Sequence, residues 1–159
     1  MTNVTYSQAN LSNMGEITSL FRNTIQTVNT RDYSAQEIEA WSRGADNIKN
    51  WVRRIETHYF ILAKIEHKLV GMASIDEDGY LDVIYIHPQH QGMGIAKSLL
   101  NQMIDKAKSL GHNQITSDVS ITAKPFFIYK GFEIIKPQLI LCRGVVLRNY
   151  NVRLEIASI

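Results

Sequence analysis

The stretch Gln91-Gly92-Met93-Gly94-Ile95-Ala96-Lys97 decides the fold, because it joins a strand-like run to a regular helical pattern. The run before it ends at Pro88, which has no amide hydrogen to continue a strand ladder. Two glycines so close together let the backbone turn sharply. The sequence therefore predicts a strand, a glycine-bearing loop and a helix in direct succession.

The helix after this loop is amphipathic and about four turns long. Its apolar residues fall three or four positions apart and are Ile95, Ala96, Leu99, Leu100, Met103, Ile104, Ala107 and Leu110. Gly111 is expected to end it, since glycine accepts the left-handed conformation found at helix ends. Further on, Thr122 is expected to cap a short helix that has Pro125 in its first turn and closes at Gly131.

Short apolar runs of the strand type stand on both sides of this loop and helix. They are Tyr59–Ile65, Leu69–Ile75 and Tyr80–His87 before the loop, and Gln114–Ser120, Phe132–Cys142 and Val145–Ile156 after it. Turn-length gaps separate the first three runs, which predicts an antiparallel meander. Arg143-Gly144 separates the last two, which predicts a C-terminal hairpin.

Three helical patterns precede the meander. The first follows a short polar-apolar start at Val4–Ser7 and carries Met14, Ile17, Leu20, Phe21, Ile25 and Val28. In the second, Ser34 and Glu37 have the spacing of a capping box. The third places four apolar residues on one face, which are Ile48, Trp51, Val52 and Ile55. This order predicts an α/β (α+β) protein, with helices beside a mostly antiparallel sheet in a single domain, residues 1–159.

Composition and charge exclude several classes of function. The chain has 159 residues, 45% of them apolar, and 17 Lys and Arg against 15 Asp and Glu, so we expect one core and no nucleic-acid partner. Cys142 is the single cysteine, and the five histidines form no metal motif, so we expect neither disulfide nor metal. Residues Met1 to Asn10 lack the basic start and apolar segment of a leader, and no stretch of about 20 apolar residues is present. We therefore expect a cytoplasmic protein with no membrane partner.

The glycine-bearing loop is a candidate site for a diphosphate. Inward-pointing amides and the positive end of a helix dipole attract anions, and Lys97 and the Ser98 hydroxyl stand close by. A dinucleotide fingerprint would need a glycine at Lys97, and a Walker loop would need glycines at Gln91 and Ala96. On these residues alone, a plain strand-to-helix turn remains an equal alternative.

At this loop the chain resembles the Gcn5-related N-acetyltransferase (GNAT) family, whose hallmark is Q/R-x-x-G-x-G/A, here Gln91, Gly94 and Ala96. The element order and the late Gly131-Phe132 extend the resemblance over the whole chain. Several segments are also similar to the small bacterial YafP-type branch, namely Tyr33-Ser34, Ile38-Glu39-Ala40-Trp41, the run from Ser120 to Phe127 and Cys142-Arg143-Gly144.

This resemblance implies a GNAT fold whose middle strands, Tyr80–His87 and Gln114–Ser120, splay apart. It implies an N-acetyltransferase that moves an acetyl group from acetyl-CoA to a small amine or peptide amine by direct attack. The loop amides from Gln91 to Lys97 would bind the pyrophosphate of acetyl-CoA. The backbone of Ile84, Tyr85 and Ile86 would pair with the pantetheine arm.

The chain departs from the family at a later motif, N-x-x-A-x-x-x-Y-x-x-x-G-F. Ala123 is in place, but Ser120 stands for the Asn that touches pantetheine and Phe127 for the Tyr that protonates the leaving sulfur. Tyr129 lies two residues later, about 200° around a helix. The missing acid motivates an alternative function, a CoA-binding or regulatory module without transfer activity.

Transfer to an amine also needs a proton acceptor, because an alkylammonium has a pKa of about 10.4 and must lose a proton before it can attack. The leaving thiol has a pKa of about 8.5, so it can leave as a thiolate without an acid. The candidates are Tyr85, Asp82, His87 and Asp118, although packing, solubility or turn formation would equally explain each of them. The residues expected to wall the acceptor pocket are Tyr33, Glu37 and Trp41. Cys142 has no evident base to make it a nucleophile, and the two terminal strands could pair in a homodimer.

Overall fold

A computed structural model describes residues 3–157 and contains one seven-stranded sheet. The strands are β1 (Val4–Gln8), β2 (Tyr59–Ile65), β3 (Lys68–Ile75), β4 (Tyr80–Ile86), β5 (Gln114–Ser120), β6 (Glu133–Cys142) and β7 (Val145–Glu155). Their order across the sheet is β1-β2-β3-β4-β5-β7-β6. All neighbours are antiparallel except β4 and β5, which run parallel. The predicted meander, the hairpin and the mixed, mostly antiparallel sheet are confirmed.

Five α-helices flank the sheet, and they are α1 (Met14–Val28), α2 (Ala35–Ser42), α3 (Ile48–Thr57), α4 (Ile95–Ser109) and α5 (Lys124–Tyr129). On one face, α4 buries Leu99, Leu100 and Met103 against the strands. On the other face, α1, α2 and α3 bury a second cluster that includes Phe21 and Trp51. The sheet therefore separates two apolar cores.

Strand β1 is an element that the sequence did not predict. It pairs with the edge of β2, from Val4 opposite Ile65 to Gln8 opposite Ile61. All of its side chains after Val4 are exposed, so no apolar alternation marks it. Backbone pairing to a sheet edge holds this strand, and backbone pairing leaves no signature in residue type.

Most of the predicted helix details hold and one is wrong. The capping box of α2 is confirmed, with the Glu37 amide donating to Ser34 Oγ at 3.1 Å and the Ser34 amide donating to Glu37 Oε1 at 2.8 Å. Gly111 and Gly131 follow their helices with positive φ, as predicted.

The predicted helix with Ile48, Trp51, Val52 and Ile55 on one face is confirmed as α3, in which Trp51 and Ile55 are buried, Val52 is half-buried and Ile48, the first residue, is exposed. The error concerns Thr122, which does not cap α5. The N-cap of α5 is Ala123, whose amide donates to Ser120 Oγ at 3.0 Å.

Strands β4 and β5 form a fork. They pair only at Tyr80–Thr116 and Leu81–Ser117, and then separate. A β-bulge lies at the same point, because Val83 faces Ser74 of β3 while Leu81 faces Ile75, which leaves Asp82 without a partner. A bulge bends and twists its strand, so it favours this divergence. The predicted splay of the middle strands is confirmed.

Strand β6 forms one edge of the sheet, opposite the β1 edge, and its side chains are almost all exposed. Leu139 and Leu141 are each 73% exposed. The pairing of the terminal strands in a homodimer stays a prediction. No helix within residues 3–157 is long and apolar enough to cross a membrane.

Gly71 of β3 lets α4 pack directly on the sheet. A Cβ at this position would lie 2.9 Å from Ile95 Cγ2 and 3.0 Å from Ile86 Cδ1, both closer than carbon atoms normally approach. Ile95 is the first residue of α4 and Ile86 is the last of β4. Because Gly71 has no side chain, Ile86 at the end of β4 and Ile95 at the start of α4 can both pack against it. These contacts position the two ends of the glycine-bearing loop.

We predict that Gly71→Ala destabilises the fold by about 1–3 kcal/mol, because the extra methyl group overpacks this contact. The melting temperature should fall by about 2–4 °C for each kcal/mol. Gly15→Ala is the matched control, since nothing lies within 4 Å of a Cβ there and the residue is helical. The control should be neutral or stabilise by up to about 1 kcal/mol. Equal melting temperatures for wild type and Gly71→Ala would contradict the packing argument.

Candidate active site

A cleft of about 1090 Å³ opens where β4 and β5 part. The loop before α4 and the start of α4 form one wall, and the end of β5 with α5 forms another. The end of α1, the turn after it and Trp41 of α2 close a third side. This volume lies just above the range of about 300–1,000 Å³ that is usual for small-molecule sites.

The glycine-bearing loop faces this cleft with open backbone. Gly92 and Gly94 have φ of 74° and 80°, and nothing lies within 4 Å of a Cβ built on either. Their amide groups donate no hydrogen bond to another described residue. Gly94 is also the N-cap of α4, so unpaired helix amides follow it. These features fit a diphosphate.

The remaining residues of the loop divide between anchoring and lining. Ile95 is buried and fixes the start of α4, while Ala96 and Lys97 line the cleft. Gln91 Nε2 donates to the carbonyl of Ile86 at 2.7 Å, which ties the loop to the end of β4. Met93 is exposed, and its side chain does not line the cleft.

The backbone edge of β4 beyond the fork is available to a ligand. Ile84 and Ile86 pack toward the core under α4, whereas Tyr85 packs toward the opposite core. From Asp82 onward β4 has no partner on the β5 side. This free edge can pair with a peptide-like group.

Two aspartates stand at the fork. Asp82 and Asp118 each follow directly on the last paired residue of their strand, Leu81 and Ser117, and both line the cleft. Asp82 accepts a hydrogen bond from Arg54 Nε at 2.7 Å. The fork therefore brings together two of the predicted catalytic candidates.

Asp118 has a different set of partners. It accepts hydrogen bonds from the Tyr80 hydroxyl at 2.8 Å, Gln138 Nε2 at 2.9 Å and Asn151 Nδ2 at 3.1 Å. Burial, the hydrogen bond to Asp118 and its negative charge raise the pKa of Tyr80. Tyr80 therefore remains a phenol and a donor near neutral pH.

The other two catalytic candidates are poorly suited to accept a proton. Tyr85 lines the cleft and packs edge-on against Phe21, with ring centroids 5.1 Å apart. Burial raises the pKa of Tyr85, so it is a phenol at neutral pH and cannot act as a base. His87 does not line this cleft but faces a small depression beside Glu16 and His67, because the chain turns away from β4 before the loop.

The residues that replace the family's Asn and Tyr have structural contacts. Ser120 lines the cleft, and its hydroxyl accepts from the Ala123 amide. Phe127 reaches the cleft but is 1% exposed and packs edge-on against Phe132. Tyr129 is 83% exposed at the end of α5, on the rim of the cleft. Neither aromatic ring offers a buried acid to the cleft.

One of the three residues expected to wall the acceptor pocket lines the cleft. Trp41 lines the cleft, and Tyr33 packs edge-on behind it with ring centroids 5.3 Å apart. Tyr33 itself is buried, and its hydroxyl donates to the Arg148 carbonyl at 2.6 Å and accepts from the Ile121 amide at 3.0 Å. Glu37 is exposed and serves the capping box. The expectation was wrong for Tyr33 and Glu37, because both are engaged elsewhere.

Sequence reasoning missed the residues that hold the fork aspartates, namely Arg54, Tyr80, Gln138 and Asn151. They come from four different elements and belong to no motif. The registers of β4, β5, β7 and β6, together with the position of α3, bring them together. Within residues 3–157, no cluster of three His, Cys, Asp or Glu is placed to hold a metal ion.

A model of the acetyltransferase (GNAT) domain family matches residues 29–154 of this chain. The chain therefore belongs to the GNAT acetyltransferase family, and it is an acyltransferase. It is 31% identical over 138 residues to the uncharacterized N-acetyltransferase YafP of Escherichia coli (strain K12), with 87% of each chain covered. The similarity to the YafP-type branch is confirmed.

Solved structures share the same fold. A GCN5-related N-acetyltransferase from Rhodopseudomonas palustris matches with a TM-score of 0.94 and 22% identity over 98% of both chains. The PaiA N-acetyltransferase of Thermoplasma acidophilum, in complex with coenzyme A, matches with a TM-score of 0.79 and 16% identity. That match covers 96% of this chain and 99% of the other.

His58 makes stability dependent on pH at the edge of this site. It is buried, with Nδ1 3.1 Å from Ser74 Oγ and 3.9 Å from Asp82 Oδ2. Burial lowers the pKa of His58, and the Asp82 charge only partly offsets this. Below a pH of about 6.5 the unfolded chain binds a proton that the folded chain resists, so stability falls as the pH falls.

We predict that His58→Asn flattens the dependence of melting temperature on pH between pH 7 and pH 5. Asparagine keeps a polar group beside Ser74 but takes up no proton. His67→Asn is the control, because His67 is an exposed turn residue with a φ of 68°, which asparagine tolerates. Thermal melts at several pH values measure the slope. If melting temperature depended on pH with the same slope in His58→Asn as in the wild type, the attribution of the pH dependence to His58 would be contradicted.

Proposed function

We propose that this enzyme transfers an acetyl group from acetyl-CoA to the primary amine of a small amine or peptide amine, by direct attack. The observation that carries the proposal is the open backbone of Gly92 and Gly94 at the start of α4, beside the fork between β4 and β5. Open amides at a helix N-terminus suit a diphosphate. The unpaired strand edge suits a peptide-like arm.

Several groups would hold the cofactor. The amides from Gln91 to Lys97 would hold the pyrophosphate, and the backbone of Ile84 to Ile86 would pair with pantetheine. Ser120 and Phe127 would flank the same arm from the other side. The thioester then lies at the fork, where backbone amides can stabilise negative charge on its carbonyl oxygen. The PaiA protein, which shares the fold, was solved in complex with coenzyme A, which supports coenzyme A as the group carrying the acetyl donor.

Direct attack requires no nucleophile from the protein. The amine, after losing one proton, forms a C–N bond to the acetyl carbon, the C–S bond breaks, and the thiolate leaves with its electron pair. The second nitrogen proton then passes to the thiolate. Cys142, the candidate nucleophile of the chain, lies outside the cleft beside the Ala40 carbonyl.

The absence of the usual acid is compatible with this chemistry. Phe127 has no proton to donate, but a thiolate with a pKa of about 8.5 is a good leaving group near neutral pH. The rate should therefore follow the availability of free amine and rise with pH until the amine is deprotonated. Without a general acid, the step that still requires help from the protein is removal of a proton from the ammonium group of the acceptor.

We predict saturable binding of acetyl-CoA by calorimetry, and thiol release that depends on an added primary amine. Mass spectrometry should find the amine heavier by one acetyl group. Binding without thiol release across a broad panel of amines would instead support a CoA-binding or regulatory module, the function that the Ser120 and Phe127 departures favour. The absence of binding at millimolar acetyl-CoA would contradict both.

We further predict that Gly94→Val lowers the affinity for acetyl-CoA by at least about a hundredfold. A β-branched residue is strained at a φ of 80°, and its side chain would occupy the space before the loop amides. Gly144→Val is the matched control, because Gly144 has a φ of 83° and open surroundings but lies in the β6–β7 turn.

Both variants should lose a similar amount of stability, about 1–3 kcal/mol. Only Gly94→Val should lose the cofactor in a calorimetric titration. Equal affinities for the two variants would exclude this loop as the diphosphate site.

A further inference from the structure

The two aspartates at the fork differ in how their charges are balanced. Asp82 forms an ion pair with Arg54, with both side chains 16% exposed and Nε 2.7 Å from Oδ2. Arg54 also lies over the Trp51 ring, 4.5 Å from its centroid, which fixes the guanidinium in place. The protein itself therefore balances the charge of Asp82.

Asp118 has no cation within ion-pair distance among residues 3–157. Its hydrogen-bond donors are the hydroxyl of Tyr80 and the amides of Gln138 and Asn151, all uncharged. Three donors orient the carboxylate but leave its negative charge in place. An exposed carboxylate that is oriented by three donors and paired with no cation is suited to receive a positive ligand.

The direction of Asp118 places this charge on the acceptor side of the sheet. Ile115 and Val119 of β5 belong to the core under α4, so Asp118 between them projects from the opposite face. On that side Trp41 and Tyr85 line the cleft. Aromatic rings attract cations as well, so the wall and the carboxylate favour the same kind of ligand.

The cationic side chains that line the cleft come from elements other than β5, which carries Asp118. Lys97 stands at the start of α4, and Lys124 and Lys130 are carried by α5 and its end. Arg31 is near Asp32, with Nε 3.7 Å from Oδ2. The cleft is therefore polarised, with lysines on the two walls that would flank the phosphates and an unbalanced carboxylate at the fork.

We propose that Asp118 determines acceptor specificity, by receiving the ammonium group of a primary alkyl amine that carries no carboxylate beside the amine. The proposal rests on the proposed acetyl transfer. A carboxylate next to the amine would stand close to the unpaired carboxylate of Asp118, and like charges repel. An alkyl amine is attracted without this penalty.

The same residue can take the proton that the reaction must remove. Once the cofactor excludes water, separated charges are disfavoured relative to a neutral acid and a neutral amine. One proton passes from the ammonium nitrogen to Asp118, the free amine attacks the acetyl carbon, and the thiolate leaves and takes the second proton. Asp118 then releases its proton to water.

The test compares amines that differ only by the carboxylate. The pairs are n-pentylamine with norleucine and phenethylamine with phenylalanine. The full chain should use the amine without the carboxylate with a kcat/KM at least tenfold higher in each pair. At neutral pH a larger fraction of each amino acid than of its matching alkyl amine carries a deprotonated amine. This difference alone would favour the amino acids, so it opposes the expected preference. Equal or higher values for the amino acids would overturn the proposal.

The variant Asp118→Asn keeps the shape of the side chain and removes its charge. It should lower kcat/KM for n-pentylamine at least tenfold and narrow the preference within each pair, with a change of less than twofold in the Kd of acetyl-CoA. Asp78→Asn is the control, because it makes the same charge change in an exposed turn. A merely structural role for Asp118 would lower the rates of all amines equally and leave their ratios unchanged.

The outcomes separate this proposal from the one on which it rests. If acetyl-CoA does not bind, or no amine is acetylated, the acetyl transfer is wrong and this proposal is wrong with it. If amines are acetylated but the preference within the pairs is absent or reversed, only the role of Asp118 is wrong. The amine pairs are measured on the wild-type chain, so they decide the proposal even if Asp118→Asn fails to fold.

Discussion

The short parallel pairing of β4 with β5, two residue pairs and no more, is the constraint on which the rest of this structure depends. Had the pairing continued, β4 would have had no free edge and the sheet would have had no gap. The bulge at Asp82 and the packing of α4 through Gly71 hold the strands apart. The cleft, its polar floor and the position of the glycine-bearing loop all follow from this one divergence. A change far from the cleft that restored the pairing would therefore close the site.

The chemistry of the cleft follows from where the chain leaves charge unbalanced. Backbone amides remain open at Gly92 and Gly94, and a carboxylate remains without a cation at Asp118. By contrast, Asp82 is paired with Arg54, and the Tyr33 hydroxyl is hydrogen-bonded to backbone groups. One open set suits an anion and the other a cation. The two reactants of an acyl transfer to an amine carry those two charges.

Periodicity and turn chemistry were enough to predict most of the fold. The bounds of β2 and β5, the capping box at Ser34 and the glycines that end α4 and α5 came from patterns that act locally. Strand β1 was not predicted, because a strand that pairs with the edge of a sheet needs no apolar face. Thr122 was wrong because Ser120 lies closer to the first free amide of α5.

The site divides in the same way. The diphosphate loop is a local motif, so its residues could be named, although only coordinates show that Gly92 and Gly94 are open. The catalytic candidates were chosen by closeness to a strand, and that criterion could not separate Asp82 and Asp118 from His87, which faces away. Their partners come from α3, β4, β6 and β7, a set that no spacing encodes. The central claim is that the loop amides hold the phosphates of coenzyme A. Titration of the ¹⁵N-labelled chain with coenzyme A, followed by amide NMR, tests it most directly. Large downfield proton shifts at Gly92 and Gly94, with Gly144 unmoved, are the result this account predicts, and saturable binding that leaves both loop amides unshifted would contradict it.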